Sequence, residues 1–296
     1  MDGHRELSVR RGAVLIGGAA VAWGIGGVVA AFLFRTSGLG PIAVSFWRFV
    51  VASVALGAFG SRRTAPRAPV SWGRSVTVGA CLALCQTSYF GAVQDAGVAQ
   101  STLIALGAGP VLIALAARVF LGERLSALTL GAIAVALVGI LLLAGAPSAA
   151  GPHPVEGVGL ALACAAGYTV VTVVARAGGG TGVGASFPVF AIGTLCLLPF
   201  ALSGKLIPHA AHLPGTLISL VFLGTVPTLL AYRWYFSGLT TVPAATASLV
   251  ALLEPVTAAL LGLALLDERL TATALVGAVL LLATAALLGR ASAAAD

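Results

Sequence analysis

From residue 12 to residue 289 the chain alternates between apolar runs of about twenty residues and short breaks marked by Pro, Gly and charge. A helix of that length, rising about 1.5 Å per residue, crosses the roughly 30 Å hydrocarbon core of a bilayer. Taking the breaks as boundaries predicts ten membrane-spanning helices, at 12 to 34, 41 to 60, 72 to 94, 99 to 120, 125 to 145, 157 to 176, 184 to 203, 214 to 237, 243 to 266 and 271 to 289. The expected fold class is an all-α multi-pass membrane protein. Gly17-Gly18 and Gly24-Ile25-Gly26-Gly27 in the first run read as packing positions, because small residues let helices approach where lipid gives no hydrophobic drive.

The pattern repeats at a shift of 145 residues. Trp23 maps to Tyr168, Pro69 to Pro214, Tyr89-Phe90 to Trp234-Tyr235, Pro110 to Pro255, and Glu123-Arg124-Leu125 to Glu268-Arg269-Leu270. Each half therefore holds five spans, and an odd number of crossings turns the second half upside down relative to the first. The expected organisation is a cytoplasmic tail at 1–11, a first five-helix repeat at 12–145, an external linker at 146–156, a second repeat at 157–290 and a cytoplasmic tail at 291–296. Inverted repeats of this kind place a transported solute near the midplane, between the two halves.

Composition agrees with the pattern. The chain is 59% hydrophobic and 8% charged, against roughly 25% charged residues in soluble domains, so it has too little polar surface for a water-soluble globule. The net charge of +7 does not imply a nucleic-acid partner, because the basic residues sit in short loops and form no tract. They instead set orientation. With the N-terminus inside, the cytoplasmic side carries Arg5, Arg10, Arg11, Arg62, Arg63, Arg67, Arg74, Arg118, Arg124, Arg176, Arg233 and Arg290. The outside has Arg35, Lys205 and Arg269, so both termini are expected in the cytoplasm. Arg10-Arg11 before an apolar run imitates a secretory signal, but the run continues to Phe34 and reads as the first span. All four cysteines lie in apolar segments. Cys81 and Cys85 have the spacing of a soft-metal pair, yet they read as small buried hydrophobes, and no metal site or disulfide is expected.

In its ordered motifs the chain resembles the EamA-type branch of the drug/metabolite transporter superfamily, with two fused five-helix repeats. The motifs are Arg48-Phe49 in the second span, Pro110 with Leu121-Gly122-Glu123-Arg124-Leu125, Leu253-Glu254-Pro255-Val256, and Leu266-Asp267-Glu268-Arg269-Leu270. Leu266-Asp267-Glu268 departs slightly from the usual Leu-Gly-Glu. The resemblance covers essentially the whole chain. It implies a ten-helix plasma-membrane transporter, often an exporter of amino acids, other metabolites or drugs.

Two charges stand out inside the spans. A carboxylate at the centre of hydrocarbon costs at least about 2.5 to 3.5 kcal/mol on insertion scales, so Glu254 marks a functional position. It lies about 16 Å from the cytoplasmic edge of its span, and Arg48 lies roughly 19 Å from the same edge of its own. Neither has a charged counterpart, since Glu254 maps to Gly109 and Arg48 to Gly193. Both are expected to face a central cavity, either paired with each other or exchanging that pairing for a substrate, and Glu254 is also a candidate proton site. A purely structural ion pair is the alternative. Trp23 and Tyr168 fall near the midplane and are candidate cavity walls, with space-filling as the alternative. Tyr89, Phe90, Trp234 and Tyr235 fall near span ends and read as an aromatic belt. Pro110 and Pro255 are candidate hinges. Glu123-Arg124 and Glu268-Arg269 read as solvated caps or gate-edge contacts.

The expected function is secondary transport of a small molecule by alternating access, with the bilayer as the other partner and no cofactor. An intramembrane enzyme is disfavoured because His4, His153, His209 and His212 all fall in tails or loops and no paired intramembrane carboxylates exist. A receptor or scaffold is disfavoured because no span borders a soluble signalling domain.

Overall fold

The computed structural model describes residues 8 to 60, 71 to 96, 98 to 144, 152 to 178, 187 to 208, 213 to 265 and 271 to 293. Outside the described residues lie Arg5, Arg62, Arg63 and Arg67 of the orientation argument, Pro69 of the repeat, Glu268-Arg269-Leu270, His4, His209, His212, and parts of both tails and of the linker.

Among the described residues the secondary structure is helical throughout. The helices are α1 (Val9–Thr36), α2 (Pro41–Gly60), α3 (Trp72–Ala96), α4 (Val98–Leu121), α5 (Ala127–Ala144), α6 (Pro154–Ala177) and α7 (Phe187–Leu202), then α8 (Leu213–Gly238), α9 in two pieces (Ala244–Ala251 and Leu253–Leu265) and α10 (Ala272–Ala293). Seven are long and apolar enough to cross a membrane, and three more are apolar but shorter over their described residues. Their ends follow local chemistry. Ser37 closes α1 by donating its hydroxyl to the Leu33 carbonyl at 2.7 Å, and Gly38 then turns the chain at φ 72°. The outward faces are apolar, as lipid requires, with Val119, Phe120, Leu195 and Ile218 each more than two-thirds exposed.

Helix neighbours follow the repeat. α3 packs on α6 as α8 packs on α1, and α4 packs on α6 as α9 packs on α1. Each of α2 with α7 and α5 with α10 is its own counterpart under the shift. This exchange is what a twofold axis lying in the membrane plane produces when the second half is inverted. The same symmetry reaches single residues. Gly79 of α3 sits so close to α7 that an added Cβ would lie 2.5 Å from the Val189 carbonyl, and its mate Gly224 presses on α2, where a Cβ would lie 3.0 Å from the Arg48 carbonyl.

The principal core runs through α1, α2, α3, α6, α7 and α8 and includes Phe49, Phe190, Tyr235 and Phe236. A second cluster joins α5 and α10 to Leu249, Leu252 and Val256 of α9.

Candidate functional site

The site is built on two irregular turns. In α8, Pro227 has no N–H to give the Leu223 carbonyl, so that acceptor loses its partner in the helical ladder. The helix widens into a π-helical segment over Gly224–Leu230. The Thr228 hydroxyl donates to the orphaned Leu223 carbonyl at 2.7 Å and accepts the Arg48 Nε–H at 3.0 Å. One hydroxyl thus repairs the break and holds the arginine.

In α9, Pro255 withholds a hydrogen from the Ala251 carbonyl, and the helix is interrupted at Leu252, whose N–H turns back to the Leu249 carbonyl at 3.2 Å. Glu254 then falls in the first turn of the second piece, where unpaired N–H groups favour a carboxylate. Pro110, the symmetry mate of Pro255, lies within an uninterrupted α4.

Helix α1 fits onto both irregular turns through glycine. A Cβ on Gly24 would lie 2.6 Å from the Thr257 Cβ and 2.7 Å from the Glu254 carbonyl oxygen, and one on Gly26 would lie 2.7 Å from the Pro227 Cβ. Gly24→Val should therefore push α1 away from the α9 turn. We expect a loss of about 1 to 3 kcal/mol, read as earlier thermal unfolding of the purified protein. Unchanged unfolding would mean that the contact is slack.

Arg48 and Glu254 are both half-buried. Each lies within electrostatic reach of the other, yet the two form no ion pair. The salt bridges among the described residues are Glu123–Arg176 and the surface pair His153–Glu156, the latter conditional on a protonated histidine. Among the described residues the Glu254 carboxylate has no hydrogen-bond donor, and the terminal nitrogens of Arg48 have no acceptor. Tyr89, Cys164, Tyr168 and Tyr232 also lie within reach of the Glu254 charge, and Tyr232 within reach of Arg48. Residues of α2, α3, α6, α8 and α9 thus surround one volume.

The aromatic residues assemble beside it. The Trp23 ring centroid is 6.4 Å from that of Tyr168 and 5.3 Å from those of Tyr232 and Tyr235. Tyr168 and Tyr235 are 6.0 Å apart, and Tyr235 shares a 3.0 Å hydrogen bond with Thr172. This corrects the aromatic-belt reading for Tyr235, which is completely buried. The cause is the turn after α8, where Leu239 and Val242 are also fully buried and cover the helix end. Tyr89 is likewise directed inward, sharing a 2.7 Å hydrogen bond with Thr102 of α4. The Trp234 ring packs on Gly18.

At one end of the bundle three segments are tied together. Gly122 ends α4 at φ 66°, which aims Glu123 across at the second half. Its carboxylate accepts Arg176 Nε–H at 3.1 Å and the Ala244 N–H at 3.2 and 2.9 Å, which caps α9. Arg176, at the end of α6, also donates through Nη1 to the carbonyls of Leu239 and Thr240 at 2.7 and 2.8 Å. Glu123 is therefore a structural tie and not a solvated cap, while its neighbour Arg124 is exposed. The shift maps Arg176 to Ala31, so this tie has no charged equivalent at that position in the first repeat.

Of the residues singled out by sequence, the structure brings Trp23 against Tyr168 and Arg48 within reach of Glu254, and leaves Pro110 on a continuous helix. Sequence reasoning missed Thr228, Tyr232 and the bonding of Arg176. Pro227-Thr228 in mid-span was the available signal. Gln86 accepts a hydrogen bond from Ser45 at 2.9 Å, and the Cys85 thiol donates to the Cys164 carbonyl at 3.4 Å.

A model of the EamA-like transporter family matches residues 10–145 and again residues 155–290. The chain is 30% identical over 267 residues to YwfM of Bacillus subtilis (strain 168), described as an uncharacterized transporter. That alignment covers 89% of this chain and 88% of the relative. An uncharacterized transporter of Archaeoglobus fulgidus is 28% identical over 205 residues, covering 68% and 70% respectively. A crystal structure with 23% identity superposes at a TM-score of 0.77 over 93% of this chain and 96% of its own, a likeness of fold.

Proposed function

The chain belongs to the EamA-like transporter family, and we propose that it exports a small metabolite, such as an amino acid or a drug, by alternating access. It is a multi-pass membrane protein, and in this reading both termini face the cytoplasm of a bacterial cell. The two repeats, at 12–145 and 157–290, rock about a midplane cavity that holds Arg48, Glu254, Trp23 and Tyr168. The single observation that carries the reading is a pair of opposite charges, Arg48 and Glu254, that border one volume in mid-bundle without bonding to each other. A structural pair buried in hydrocarbon would be expected to close its own hydrogen bonds. An open pair offers them to a passing solute.

The interruption of α9 at Leu252 supports Pro255 as a hinge, since a break already present in the ladder concentrates bending there. Pro110 is the weaker hinge, on a continuous helix. With the N-terminus inside, the Glu123–Arg176 tie lies at the cytoplasmic end and acts as the gate on that side.

Direction is tested in cells. Bacteria preloaded with radiolabelled amino acids and overproducing the protein should lose at least one label faster than cells overproducing Glu254→Gln at equal membrane abundance. Faster uptake in the wild type would reverse the direction assigned.

A further inference from the structure

The two open charges also constrain what the cavity takes, an inference that rests on the transport reading. Arg48 is held through Nε by Thr228, so its orientation is fixed while the two terminal nitrogens remain available as a fork. A guanidinium fork matches a carboxylate in plane and in spacing, and such paired bonds are among the strong ones available to a side chain. Glu254 lies on the far side of the same volume and has acceptors but no donor among the described residues. A solute with only an ammonium group would satisfy Glu254 and leave Arg48 uncompensated. A solute with only a carboxylate would do the reverse. In a low-dielectric site either remainder is costly, whereas a solute carrying both charges satisfies both groups at once.

The walls define the remainder of the solute. Tyr89 and Tyr168 are partly exposed and lie within reach of the Glu254 charge, with the nearly buried Trp23 packed behind Tyr168. Their rings offer apolar faces to a body between the two charged groups.

We propose that the cavity is a receptor for zwitterions with an apolar body, in which the Arg48 fork takes the carboxylate, Glu254 takes the ammonium, and Thr228 is the positioning residue that aims Arg48. A neutral drug or a simple organic cation is then a poor ligand. The asymmetry of the two repeats has a reason in this reading. A symmetric scaffold offers like groups from both halves, and reading the two ends of a zwitterion requires unlike ones. Arg48 opposite Gly193 and Glu254 opposite Gly109 supply that difference.

The test compares three solutes with one body: L-phenylalanine, phenethylamine and 3-phenylpropanoate. L-leucine, isoamylamine and 4-methylpentanoate form a second trio. Binding is measured by calorimetry on the purified full-length protein in lipid nanodiscs. For at least one trio the zwitterion should bind about 10- to 100-fold more tightly than either single-charge analogue. Arg48→Gln should remove the advantage over the amine, and Glu254→Gln the advantage over the carboxylate. Thr228→Val should weaken the zwitterion and the carboxylate but not the amine, and Thr228→Ser, which keeps the hydroxyl, should restore both. A Thr228→Val variant that weakens all three solutes equally would make that residue merely structural.

The wild-type comparison decides the solute class even where a variant fails to fold. An amine or a carboxylate that binds as well as the zwitterion would overturn the proposal, and so would the absence of saturable binding by both trios. None of these results removes transport itself, whose failure would appear separately as no exchange of any solute across a reconstituted membrane.

Discussion

Glu254→Gln and Arg48→Gln should each lower transport at least about tenfold without unfolding the protein. A hydrogen bond to a charged group contributes about 1.5 to 3 kcal/mol, so losing one charged partner of the solute corresponds to roughly a 10- to 150-fold loss in affinity. Stability supplies a second, independent sign. Breaking a buried ion pair by removing one partner costs about 3 to 5 kcal/mol, because the other charge is left alone. Here the two groups form no pair, so neutralising one removes an uncompensated charge and should leave thermal stability unchanged or raise it. A drop of several degrees in either variant, with transport retained, would instead identify a structural ion pair.

The second large effect is expected at the cytoplasmic tie. Arg176→Ala removes an ion pair and two hydrogen bonds, and it leaves the carbonyls of Leu239 and Thr240 without that donor. The two side chains are 25% and 14% exposed, so solvent screens the pair incompletely, and a loss of about 2 to 4 kcal/mol is expected. Arg176→Lys should recover only part, since an ammonium lacks the fork that serves Glu123 and the two carbonyls together. Exchanging the charges, with Arg at 123 and Glu at 176, should not rescue. Glu123 also caps the Ala244 N–H, and an arginine there has no acceptor to offer. The same change should open the cavity. Cys164 borders it, so in protein whose other cysteines are replaced by Ala, a membrane-impermeant thiol reagent applied from the cytoplasmic side should label Cys164 faster in Arg176→Ala. Equal labelling, with unfolding unchanged, would remove the gate.

Much of the scaffold was legible in the sequence because bilayer thickness fixes span length. Nine of the ten predicted spans meet single helices within a few residues, and the 145-residue shift anticipated which helices are neighbours. Depth arithmetic brought Arg48 and Glu254 to one level for the same reason, since rise per residue converts sequence position into height. Lateral detail was not legible. Pro110 and Pro255 are the same residue at equivalent positions, yet α4 continues and α9 breaks. The outcome depends on which neighbouring groups satisfy the freed carbonyl, and sequence position does not report that. Pro227 shows the same dependence. Its effect on the helix is decided by Thr228, whose hydroxyl serves Leu223 and Arg48 together. Sequence reasoning weighed Glu254 as the partner of Arg48, whereas the bonded partner is a neutral threonine 180 positions away. Tyr235 was misplaced because counting along a span finds its end but not the turn that folds over it.

The central claim, that solute crosses through a cavity controlled by Glu254, is tested most directly by counterflow in proteoliposomes. Vesicles holding wild-type protein and loaded with unlabelled L-phenylalanine or L-leucine should transiently accumulate external label of the same solute, and vesicles holding Glu254→Gln at equal density should do so at least about tenfold more slowly. Accumulation of the same size in both would contradict the account.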